Sequence, residues 1–235
     1  MIGISLAASR RYWARRIGRQ AAIIALGVIA SGALVVAATE RESLAFRVSL
    51  GTGYVSLALL AASLAIGPIR IAAGLRSPPS MDLRRDVGVC ASLFAVAHVI
   101  TGLQVHMRGA MWKYFLDPNR GPVTVVPRLD AFGLANYTGI AATALLLALV
   151  AISNDFAVRR MGVARWKRVQ RWSYAAAAFV VIHSVVYQLL DRRTTPFVVA
   201  FVAIVLLTLL VQITGVRHAR RSRSVGPNPV PPMDG

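Results

Sequence analysis

Apolar and polar positions along this chain fall in long blocks. Six runs contain no Asp, Glu, Lys or Arg: Ala21–Thr39, Val48–Ile69, Val87–Val105, Ala131–Asn154, Trp172–Leu190 and Thr194–Val216. Each is close to the ~20 residues that an α-helix needs to cross a hydrocarbon core of about 30 Å. Surface helices of a water-soluble protein carry charge along one face, and these runs carry none. The pattern predicts an all-α fold, a polytopic membrane protein with a six-helix transmembrane bundle over residues 21–216. Residues 1–20 read as a basic, interfacial N-terminal segment that includes Tyr12 and Trp13. Residues 217–235 are basic and then Pro-rich, a composition that predicts a disordered tail.

Composition agrees with this reading. The 235 residues are 56% hydrophobic and only 15% charged, against about 25% charged in a soluble domain. The net charge of +18 raises the question of nucleic acid, and its distribution answers against it. Nineteen of the 27 Lys and Arg fall before the first run or in alternate connections: Arg10–Arg19, Arg70–Arg85, Arg159–Arg171 and Arg217–Arg223. Positive-inside insertion produces this asymmetry, which places both termini in the cytoplasm and assigns the charge to anionic membrane lipid. The protein is therefore expected in a membrane, with no nucleic-acid partner. Cys90 is the single cysteine, so no disulfide or CxxC pair exists within the chain. Met1–Ala8 precedes the arginines rather than following them, unlike a cleaved signal.

The connections are short except Met107–Asp130, whose Trp112, Tyr114 and Phe115 precede a turn-rich Asp117–Pro122. It reads as an aromatic belt and loop, with a lid over the outer end as the alternative. Gly67-Pro68 predicts a stop or kink in the second span. No Gly-rich phosphate fingerprint is present, so no flavin or NAD(P) domain is expected in this chain.

Two histidines carry the chemistry. His98 lies 13 residues beyond Arg85, and His183 lies 12 beyond Arg171. Their helices run in the same direction, so both rings sit roughly 18–20 Å from the cytoplasmic edge. A level pair of neutral imidazoles on two parallel helices suits bis-His ligation of one b-type haem. Small or apolar neighbours leave room for a macrocycle: Ala95 and Gly102 beside His98, Val180 and Tyr187 beside His183. Arg108, Arg192 and Arg193 are candidate partners for the haem carboxylates. His106 falls about 80° away around the helix and reads as an interface residue, His218 as solvated. Two alternatives stay open: a haem-free transporter that relays protons or metal through the histidines, and a non-catalytic assembly subunit.

Longer stretches bear a family likeness. Leu83–His98 (LRRDVGVCASLFAVAH) resembles the third-span signature of the ferric-reductase-like transmembrane domain. Phe132–Gly139 (FGLANYTG), Ser153-Asn154-Asp155, Arg159-Arg160 and Trp166–Gln170 (WKRVQ), followed by His183, are similar to the haem-binding membrane subunits of the MsrQ or YedZ type. The likeness covers about residues 49–190. It implies electron transfer through b haem, with His98 and His183 as axial ligands. The donor would be a quinol or a separate flavoprotein, and the acceptor a periplasmic redox partner or metal ion. Two-haem members of the family carry a second, inner histidine pair about 13 residues earlier on each helix. Those positions here are Arg85 and Gln170, which implies that the inner haem is lost and one remains.

Overall fold

A computed structural model of the chain describes residues 6–38, 42–75, 81–107, 110–117, 126–191 and 193–224. Among the described residues eight helices follow one another: α1 Leu6–Ala37, α2 Leu44–Ala72, α3 Met81–Gly102, α4 Ala131–Ala151, α5 Asp155–Met161, α6 Val163–Gln170, α7 Trp172–Leu190 and α8 Thr195–Ser224. Between α3 and α4 lie a 3-10 turn, Met111–Tyr114, and a two-residue antiparallel ladder of β1 (Leu116–Asp117) with β2 (Val126–Pro127). Polar side chains fix several starts. Ser43 accepts from Phe46 N–H, Asp130 from Gly133 N–H and Asn154 from Ala157 N–H, so each supplies an acceptor to an otherwise orphaned first-turn donor.

Five helical stretches among the described residues are long and apolar enough to cross a membrane: Arg10–Ala37, Leu44–Ala72, Ala131–Ala151, Val163–Leu190 and Thr195–Arg221. The chain is a multi-pass, all-α membrane protein. The third expected span differs from the others. Its helix α3 opens with Asp82, Arg84, Arg85 and Asp86 and stops at Gly102 rather than Val105, which leaves an uncharged stretch of roughly 24 Å. At its end the Tyr114 hydroxyl stands between the Gly102 carbonyl, to which it donates at 2.9 Å, and His106 N–H, from which it accepts at 2.9 Å, in place of the helical bond between them. Two further boundaries depart from expectation. α2 passes through Pro68 to Ala72, with the ring lying against Gly215 of α8, where a side-chain carbon would not fit. α8 runs on to Ser224, so the first part of the segment expected to be disordered is helical; the rest of that tail lies outside the described residues.

The bundle is built from two antiparallel pairs, α2 with α3 and α4 with α7. A ladder of serines seven residues apart on α2 zips the first pair. Ser63 Oγ donates to the Arg84 carbonyl at 3.2 Å and Ser56 Oγ to the Ala91 carbonyl at 2.9 Å; Ser49 meets His98. A step of seven keeps successive serines on one face, and seven in the opposite sense on α3 keeps their partners opposite. Where water is absent, each such bond satisfies a hydroxyl that would otherwise be orphaned.

One end of the bundle carries most of the described basic residues; the other carries the 3-10 turn and β-ladder and is called the loop end below. At the basic end, Asp86 is completely buried. Its carboxylate accepts from Arg16 Nε at 2.9 Å, Gln20 Nε2 at 2.7 Å and Arg19 Nε at 2.8 Å, tying α1 to α3. Cys90 is buried just above and packs as a small apolar side chain. Toward mid-bundle a close-packed cluster of Leu60, Leu64, Ala91, Ala95, Leu146 and Ala176 fills the space between the two pairs.

Candidate functional site

His98 of α3 and His183 of α7 are brought together. Their ring centroids are 5.8 Å apart and the planes nearly perpendicular, at 84°. Each Nδ1 is engaged by the neighbouring helix: that of His98 lies 2.8 Å from the Ser49 carbonyl oxygen, that of His183 2.7 Å from the Ala135 carbonyl oxygen. A carbonyl only accepts, so both Nδ1 atoms carry the proton, and both Nε2 atoms keep a lone pair. Two imidazoles held in the same tautomer, with their basic nitrogens unspent, are chemically able to offer a pair of nitrogen donors to one metal.

Both rings line one cavity of about 160 Å³. Small and apolar residues form its wall, among them Gly53, Ala95, Gly102, Gly139, Ile140 and Val180. Of the small neighbours expected near the histidines, Ala95 and Gly102 face it. The loop end is polar: His106, Tyr187, Gln188, Asp191 and Arg193 all reach the cavity. Arg193 donates from Nη2 to Asp191 at 2.9 Å and lies 4.4 Å over the Phe46 ring, while its buried Nη1 has no hydrogen-bond partner. The other two arginines suggested for this role, Arg108 and Arg192, lie outside the described residues.

His106 does not join the pair. It lies past the end of α3, its ring nearly parallel to Tyr187 at 6.2 Å and its Nε2 3.9 Å from Asp191. His218 is exposed on α8 and bonds the Thr214 carbonyl one turn back. The segment after His106 departs from a simple belt and loop. Tyr114 is almost fully buried, its hydroxyl also accepting from His106 N–H, and the Phe115 carbonyl accepts from the Tyr137 hydroxyl. Tyr114 and Phe115 line the loop end of the cavity. The segment's turn, Pro118–Pro122, lies outside the described residues.

Thirteen residues toward the basic end, Arg85 and Gln170 have other partners. Arg85 Nη1 donates to Asp155 at 2.8 Å, and Gln170 Nε2 to Ser153 Oγ at 3.3 Å. Trp166 is buried and donates to the Ile152 carbonyl at 3.0 Å. Asp155 sits outside the spanning segments. The Arg85 hydrogen bond, with the charge of that guanidinium, holds its carboxyl below the ordinary value of 3.8. Together these contacts fasten α5 and α6 beneath α3 and α4.

A membrane-embedded helical bundle organised around two facing imidazoles is a recognisable class. The family it belongs to follows from comparison with known proteins: residues 52–181 match the ferric reductase like transmembrane component, and the chain is a member of that family. It is 32% identical over 169 residues to the protein-methionine-sulfoxide reductase heme-binding subunit MsrQ of Rhodospirillum rubrum, covering 71% of this chain and 72% of that one. The corresponding subunit of Deinococcus radiodurans is 33% identical over 132 residues, covering 56% of this chain and 58% of that one. The magnetosome protein MamZ of Magnetospirillum gryphiswaldense is 27% identical over 145 residues, which are 62% of this chain and 20% of MamZ. The family match covers all of α3 with His98, and α7 as far as residue 181, two residues short of His183.

Proposed function

We propose that this protein is the haem-carrying electron-transfer subunit of a bacterial inner-membrane oxidoreductase system, with one b haem held by His98 and His183. The observation that carries this reading is the ring pair itself. Two imidazole–metal bonds of about 2 Å, with about 1 Å from each nitrogen to its ring centre, require rings about 6 Å apart; the separation is 5.8 Å. The unspent Nε2 atoms of His98 and His183 would hold the iron, and the apolar wall would suit the body of a macrocycle. The unpartnered Arg193 Nη1 fits a haem carboxylate at the loop end. Named relatives are heme-binding subunits.

Bound there, haem supplies a one-electron ferric/ferrous couple. The chain's own contribution is to hold, orient and keep dry: the carbonyls of Ser49 and Ala135 fix the tautomers, and Tyr114 covers the loop end. Packing of Leu60, Leu64, Ala91 and Ala176 where an inner group would stand supports a single haem. Six passes, with the basic end and both termini in the cytoplasm, fit the charge asymmetry. Electrons would then enter from a quinol or a separate flavoprotein and leave to a periplasmic redox partner.

Optical spectra of purified protein before and after dithionite test the reading. Expected is a low-spin b-type spectrum with about one haem per chain, lost in His98→Ala and in His183→Ala and kept in His106→Ala and His218→Ala. A colourless protein, or haem that survives both of the first two substitutions, refutes it.

A further inference from the structure

The surroundings of the two histidines are duplicated. On α2, Thr52 precedes Gly53; on α4, Thr138 precedes Gly139. A methyl group at Gly53 would come within 2.9 Å of His98 Nδ1, and one at Gly139 within 2.7 Å of His183 Nδ1. Four residues before each glycine is the carbonyl that accepts the Nδ1 proton, at Ser49 and at Ala135. The threonine hydroxyls donate first to the carbonyl four residues back, Thr52 to Val48 at 2.7 Å and Thr138 to Leu134 at 2.9 Å, and also reach those same oxygens, Thr52 at 3.2 Å from Ser49 and Thr138 at 3.0 Å from Ala135. Both threonines are buried. Glycine to histidine is 45 residues in the first helix pair and 44 in the second.

We infer that Thr52-Gly53 and Thr138-Gly139 form a repeated cradle that positions the two histidines and sets their strength as donors. The glycines let each ring approach the helix backbone closely enough to reach a carbonyl. That bond makes the imidazole more basic at Nε2 and so favours the ferric state of a bound iron. Each threonine proton is bifurcated between the i−4 carbonyl and the oxygen that accepts from Nδ1, and the share that falls on that oxygen weakens the Nδ1 bond. The two sites are unequal: Ser49 Oγ also lies 3.1 Å from His98 Nδ1, while Ala135 has no hydroxyl. The inference rests on the haem reading and adds positioning residues that do not touch the cofactor's iron.

The test uses the full-length protein purified with its haem, and reads haem content, midpoint potential and the ferric low-spin EPR signal. Gly53→Ala and Gly139→Ala should lose haem or raise the midpoint potential with altered g-values. Thr52→Val and Thr138→Val, close in shape, should fold and lower the potential. Gly67→Ala, on α2 with open space around it, should match the wild type. If wild type binds haem through His98 and His183 but all four cradle variants match Gly67→Ala, the inference is overturned while the haem reading stands. If wild type holds no haem, the haem reading itself has failed. Should the glycine variants not fold, an unchanged potential in the threonine pair overturns the inference by itself.

Discussion

Asp86 is the side chain on which the attachment of α1 depends. Removing it as Asp86→Ala deletes the acceptor for Arg16, Arg19 and Gln20 at once. The consequences differ among the three. The Arg19 side chain is 34% exposed and recovers water, whereas that of Arg16 is 8% exposed and is left as an unpaired buried guanidinium. Breaking a buried pair from one side costs about 3–5 kcal/mol, and Arg16 carries most of it. For a chain of this size a kilocalorie moves the melting midpoint by about 2–4 °C, so a fall of roughly 6–20 °C is expected. Helical circular dichroism against temperature, in one detergent at pH 7, measures it. Asp86→Asn keeps an acceptor oxygen and should lose less. The double variant Arg16→Leu with Asp86→Leu should recover most of the loss, because apolar replacement of a buried pair is often neutral or better. A fall under about 1 kcal/mol for Asp86→Ala, or a double variant no better than the single one, refutes the assignment of the penalty to a stranded cation.

Three other outcomes follow from the same contacts. Leu64→Ala, in the cluster between the helix pairs, should cost about 2–5 kcal/mol and leave the haem spectrum unchanged, as read by parallel melting and absorbance. The Arg85–Asp155 bond holds the Asp155 carboxyl below its ordinary value, so its stabilisation is complete above about pH 4 and fades as pH falls through the depressed value. The Asp155 side chain is 48% exposed, which limits the effect to under about 1 kcal/mol. Melting midpoints of wild type and Asp155→Asn should accordingly differ at pH 7 and converge in acid. Arg193→Leu should weaken haem retention during washing without changing the axial ligation seen by EPR, since the guanidinium addresses the loop end of the cavity and not the rings.

The helical runs were legible because an uncharged block of that length has one stable form in a bilayer. The pairing of His98 with His183 was legible because rise per residue converts sequence distance from a charge cluster into depth. The serine ladder at 49, 56 and 63 was printed in the sequence with a constant step of seven, yet carried no weight there. A buried hydroxyl can satisfy itself on the carbonyl four residues back, as Thr52 and Thr138 do, so its partner is fixed only by the register of the neighbouring helix. The Thr-Gly repeat was missed for the same reason: two dipeptides 86 positions apart acquire meaning only when a histidine arrives opposite each. Arg85 shows the converse. It looked like a topology signal and is a buried tie to a helix 70 residues away.

The vertical position of the histidines bears on where electrons enter. From Arg85 to His98 is roughly 20 Å along α3, and Leu60, Leu64, Ala91 and Ala95 are packed alongside that length. Tunnelling rates fall exponentially with distance, so a flavin held in water at the basic end works across an insulating layer. A quinol dissolved in the bilayer can rise level with the rings. In proteoliposomes containing the haem-loaded protein, a lipid-soluble quinol should therefore reduce the haem many times faster than an equimolar water-soluble reduced flavin presented at the basic end. Replacing Leu64 by Ala should not close the gap, because removing a few methyl groups leaves the distance unchanged. Equal rates, or a faster flavin, would mean that a second electron carrier stands in the inner half of the bundle, and the single-haem arrangement would be wrong.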